Sequence, residues 1–157
     1  MPFIPTTTLT QGTSEWTQVL KTVTESVASN TVVQNDDELF FTAVASTLYA
    51  IEVGIIYDSP VGAGTPDIKV AFGEDGTARG QLGGVGISTA DGSGVWLLAT
   101  SQAAGTFGTT TLERLIGGTG FHRGNGGTFL FQWAQNTSGI NATRVVAGSW
   151  LRYRVIS

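Results

Sequence analysis

The residues able to do chemistry in this chain are few and poorly assembled for it. His122 is the single histidine and cysteine is absent, which excludes disulfide frameworks, thiolate metal sites, cysteine nucleophiles and His-pair metal centres together. A serine triad needs an imidazole base, and one histidine beside Arg123 in a glycine-rich stretch reads as a surface or loop-packing residue. That stretch, GGTGFHRGNGG from Gly117 to Gly127, has neither the G-x-G-x-x-G nor the G-x-x-x-x-G-K-[ST] spacing of a phosphate loop, and no helical pattern follows it, so it reads as a hairpin connection. Asp36, Asp37 and Glu38 are the densest carboxylates; without a D-x-D-x-D-G loop they read as turn formers and a solvated strand entry, not a calcium site. Asn136-Thr137-Ser138 and Asn141-Ala142-Thr143 fit the N-x-[ST] sequon, but their spacing suits a turn. No catalytic, cofactor-binding or metal-ligating residue is assigned, and the expectation is a protein that is not an enzyme and needs no cofactor.

The elements that would position any site are strands. At 157 residues the chain is the size of one domain, able to bury about 70% of its unfolded surface. Its 22 glycines, abundant threonine and only 13% charged residues favour sheets joined by tight loops over helices. Lysine occurs only at Lys21 and Lys69, and the net charge is −4, so a nucleic-acid partner is disfavoured. The charge is unevenly spread, with ten acidic and two basic residues in 1–78 (−8) against two acidic and six basic in 79–157 (+4). There is no run of eighteen apolar residues and no secretory signal at MPFIPTTTLTQG, so the expectation is a soluble protein made in a cytosol, not exported by a signal peptide and with no membrane partner.

Period-two alternation runs through most of the chain. Residues 1–14, uncharged and with Pro2 and Pro5, read as an extended arm showing Phe3, Ile4 and Leu9. Residues 15–157 read as a single domain. Within it, residues 16–26 fit a first strand; Asn35 and Asp36 fit a turn; Leu39, Phe41 and Ala43 start an alternation. In TLYAIEVGIIYD one face carries Tyr49, Ile51, Val53, Ile55 and Tyr57, and the other Leu48, Ala50, Glu52, Gly54 and Ile56, which predicts a long central strand. DIKVAF, VWLLATS, Thr111–Ile116, GGTFLFQWAQN and SWLRYRVIS are further strands; SPVGAGTP and GEDG are loops and 79–94 is hard to place. Eight or nine strands without a helical pattern imply an all-β antiparallel sandwich.

Two strands have faces too apolar for open water. Phe129, Phe131 and Trp133 form a core row, leaving Leu130, Gln132 and Ala134 on the other side; Leu151, Tyr153 and Val155 point in, leaving Trp150, Arg152, Arg154 and Ile156 out. Tryptophan and arginine are enriched where proteins meet. Leu130, Gln132, Ala134 and Trp150 are therefore the candidate subunit interface.

The succession NDDELFF, TLYAIEVGIIYD, GGTFLFQWAQNTS and RVVAGSWLRYRVIS, spanning residues 16 to 157, resembles the jelly-roll domains of tailed-bacteriophage virion proteins, including capsid decoration proteins. These are similar to the trimeric sandwiches of the tumour necrosis factor and C1q type. The resemblance implies an antiparallel jelly-roll β-sandwich with an extended N-terminal arm, a homotrimer, and the major capsid protein as partner. It carries no active-site motif. The implied setting is the outer surface of a phage head, where a chain of this size would clamp capsid subunits, with Phe3, Ile4 and Leu9 as candidate attachment residues. The alternative is a tail-fibre or tail-tip module holding a host receptor or glycan through glycine-rich loops and aromatics such as Trp96 or Phe121.

Overall fold

The computed structural model describes residues 15–60, 67–74, 80–86, 94–99, 105–107 and 111–156, with the backbone alone for 80–86, 94–99 and 105–107. The arm with Phe3, Ile4 and Leu9 lies outside these residues, as do 61–66 of the expected loop at 59–66 and 75–76 of the expected turn at 73–76, whose Gly73 and Glu74 are instead the end of a strand. Every regular element among the described residues is a strand: β1 (Thr17–Leu20), β2 (Glu25–Val27), β3 (Gln34–Thr42), β4 (Leu48–Asp58), β5 (Ile68–Glu74), β6 (Gly80–Gly86), β7 (Gly94–Ala99), β8 (Gly105–Phe107), β9 (Arg114–Arg123), β10 (Thr128–Gln135), β11 (Thr143–Val145) and β12 (Trp150–Val155).

All pairings are antiparallel, and they make two sheets. The larger runs β1-β12-β4-β9-β6-β7, with β11 and β2 beside the far end of β4, and the smaller runs β3-β10-β5-β8. Beside the β4–β11, β4–β12, β5–β10 and β6–β9 pairings, six pairings form a nested series that ends in the β6–β7 hairpin. Early strands meet late ones as β1–β12, β3–β10, β4–β9 and β5–β8. The protein is thus an all-β sandwich of two packed antiparallel sheets.

Alternation dictates what lies between them. Tyr49, Ile51, Val53, Ile55 and Tyr57 of β4 face Phe129, Phe131 and Trp133 of β10 across a core that includes Leu39, Phe41, Ile68, Val70, Phe72, Ile116 and Leu151. An aromatic chain ties the layers together: the Phe41 ring stacks on Tyr153 at 3.9 Å and on Phe129 at 5.2 Å and meets Tyr49 edge-on, while Phe72 leans on Phe131 at 5.2 Å.

Four local readings are corrected. The first strand is broken into β1 and β2, because Lys21 between them turns its side chain inward and is fully buried. Its backbone is held by the turn before β12, Lys21 N donating to Ser149 O and Gly148 N to Lys21 O, both at 2.8 Å. Asn35 and Asp36 lie inside β3, yet their turn character survives as a bulge: the register against β10 jumps from Leu130↔Phe40 to Gln132↔Asn35. The Asp36 carboxylate caps that bulge by accepting from Glu38 N at 3.0 Å and Leu39 N at 2.9 Å. The glycine-rich 117–127 stretch is not mainly a connection, since β9 runs through Arg123 and only 124–127 turns. Conversely, 111–113, expected to be strand, precede β9.

Candidate functional site

On the larger sheet the outward residues follow from the register. Leu20, Trp150, Gly54 and Gly117 make one row across four strands; Gln18, Arg152, Glu52 and Thr119 make the next; Arg154, Ala50 and Phe121 a third; and Ile56 and Leu115 pair beyond them. Gly54 in the first row has a steric purpose. A Cβ built on Gly54 would lie 2.5 Å from Cε2 and Nε1 of the Trp150 indole, so the ring lies across the bare backbone of β4.

Beside it the cations and rings interleave. The Arg152 guanidinium carbon sits 4.9 Å from the Trp16 ring and 5.4 Å from the Trp150 ring, and that of Arg154 sits 5.0 Å from the same Trp16 ring. The sequence Trp150, Arg152, Trp16, Arg154 is therefore a short ladder of cation–π contacts, each worth about 0.5–1 kcal/mol at an exposed site. Arg152 is oriented from the other side by Glu52, whose Oε2 accepts from its Nε at 2.8 Å and also from Nη2. Around this ordered polar centre the face is apolar and open: Leu20 is 51% exposed, and Leu115 and Phe121 are each 56% exposed. The face is half apolar, with tryptophan and arginine at its middle, which suits a protein contact.

Of the expected interface residues only Trp150 lies on this face. Leu130, Gln132 and Ala134 look outward from the smaller sheet, on the opposite side of the sandwich from Trp150. Ala134 is fully buried and Gln132 nearly so, its Nε2 donating to Asn35 Oδ1 at 2.7 Å. Leu130 is half-buried beside Phe40, its partner on β3. That side is thus partly buried within the protomer, with Phe40 still 43% exposed on it.

Two titratable clusters emerge that the sequence reading passed over. His122 is no loop residue: it points into the sandwich from β9, is 1% exposed, and its Nε2 lies 2.7 Å from Glu74 Oε2 on β5, in the other sheet. Glu74 also accepts from Asn125 N at 2.8 Å and from Gly127 N, clasping the turn by which β9 crosses to β10. The bonds to Gly127, His122 and Asn125 outweigh burial and hold its carboxyl below the ordinary value. The second cluster surrounds Lys21, whose Nζ is 2.5 Å from Glu25 Oε1, 2.9 Å from Asp36 Oδ2 and 3.7 Å from Glu38 Oε2. Asp36 and Glu38 are thus structural partners and not merely a solvated strand entry. Both clusters escaped because their members are far apart in sequence or were judged by local composition.

Among the described residues no group of three or more His, Cys, Asp and Glu is arranged to hold a metal ion. Phe121, named above as a candidate receptor contact, lies on the β9 face and not in a loop; the side chain of Trp96 lies outside the described residues. No protein-family model matches the chain, and no curated protein matches it.

Proposed function

We propose that the protein is a bacteriophage virion structural protein, a trimeric jelly-roll that decorates the outer surface of the head, and that its subunits meet through the outer face of the larger sheet. One observation carries this reading: Leu20, Leu115 and Phe121 stand open on that face around the Trp16–Arg152–Trp150 ladder. Exposed apolar surface next to ordered tryptophan and arginine is what an assembly interface needs, with hydrophobic area for affinity and a polar centre for register. The nested strand pairing supports the jelly-roll assignment, since a jelly roll is a long hairpin whose arms are rolled into two sheets. Of the expected interface set, Trp150 is retained and Leu130, Gln132 and Ala134 are set aside. The role is structural and not catalytic, with the arm, through Phe3, Ile4 and Leu9, reaching the major capsid protein.

Cryo-electron microscopy of particles carrying the protein tests this. Density on the outside of the head, in threefold units, is expected. Density at the tail tip would favour the receptor-binding alternative, and absence from particles would end both readings.

A further inference from the structure

We propose that Lys21 and Asp36 form a covalent amide, an internal cross-link between the segment joining β1 to β2 of the larger sheet and the first strand of the smaller one. The two side chains are fully buried, with Nζ 2.9 Å from Oδ2. The rest of the site supplies what the condensation requires. Asp36 Oδ1 accepts from Glu38 N and Leu39 N, a pair of fixed donors that stabilises charge developing on that oxygen as the carbonyl carbon becomes tetrahedral. Glu25 Oε1, 2.5 Å from Nζ, is placed to take and return a proton. A chain without cysteine has no disulfide with which to fasten strands, and an amide here would close the loop from 21 to 36.

The step balances without any co-reactant. The Lys21 ammonium passes one proton to Glu25, which hands it on to Asp36, so a neutral amine faces a neutral carboxyl group and Glu25 is a carboxylate again. Nζ attacks Cγ, the Nζ–Cγ bond forms, Oδ1 stays in its pair of N–H bonds, and Oδ2 leaves as water with the protons Glu25 relays. In sum an ammonium and a carboxylate become an amide and one water. Burial works to lower the Lys21 pKa, but hydrogen bonds and charge from Glu25 and Asp36 more than offset it, so the ammonium is favoured in the unreacted pair. Reaction therefore proceeds from the minor, neutral-amine form, and Glu25 is the residue placed to take the proton.

Intact mass spectrometry of the denatured full-length protein tests the bond. The expected mass is lower than the sequence mass by one water, and a proteolytic digest should contain a branched peptide joining the Lys21 and Asp36 segments. Lys21→Arg keeps the charge but cannot condense and should show the full mass while remaining folded by circular dichroism. Glu25→Gln should slow the loss of water severalfold or more. Full mass in the unmodified sequence overturns the proposal. So does a loss of water without the branched peptide, as a succinimide at Asp75 or Asp91, each followed by glycine, would produce.

Discussion

Glu74 shows how much one side chain can hold. It joins β5 to His122 of the opposite sheet and to the turn after β9, with its side chain 1% exposed. Glu74→Gln leaves these donors facing a neutral amide in a dry site, and by analogy with broken buried pairs it should cost about 3–5 kcal/mol, read from urea unfolding at neutral pH. The acid side follows from sign. Glu74 titrates below 4.5 in the fold, and Glu38 is drawn down to about 2, chiefly by the Thr22 hydroxyl and the Val23 N–H. A carboxyl with a depressed folded pKa stabilises the fold above its unfolded value and loses that contribution as pH falls through the folded one. The urea midpoint should therefore be insensitive to these groups down to roughly pH 4.5 and fall below it. In Glu38→Gln that acid-induced fall should be smaller than in the unmodified protein; an identical fall would dissociate Glu38 from acid stability.

At the scale of elements, packing explains both what could be read in advance and what could not. β4 and β10 were legible because their alternation is sharp, and each face went where period two sends it. Trp133, fully buried on β10, should cost about 3–5 kcal/mol on replacement by alanine, measured as a shift in denaturant midpoint. β9 was hidden by composition. Gly117, Gly118 and Gly120 resemble a loop, but their neighbours β4 and β6 supply the ladder that makes them a strand. Nothing local marks Gly54 as special either, since its role is to leave room for an indole 96 positions later in the chain. Gly54→Val should displace Trp150, cost about 1–3 kcal/mol and alter tryptophan fluorescence. A fully unchanged spectrum and stability would mean that the indole does not lie across β4.

For the molecule as a whole, all-β character could be read from composition, whereas the order of strands could not. Partners such as Val19↔Leu151 and Val53↔Gly118 are set by closure of distant segments, which no window of sequence contains. The interface reading was limited in the same way. Two apolar strand faces were visible, but only the sheet order reveals that they look in opposite directions and that one is already half spent. Assembly through the remaining face is the central claim, and solution mass measures it most directly. Light scattering on the purified protein should give three times the 16.4 kDa chain mass. The double variant Leu115→Asp and Phe121→Asp changes two exposed side chains, so the protomer should keep its fold, yet charge on the apolar rim should bring the mass to that of one chain. A monomer before mutation, or a stable trimer after it, would contradict the account.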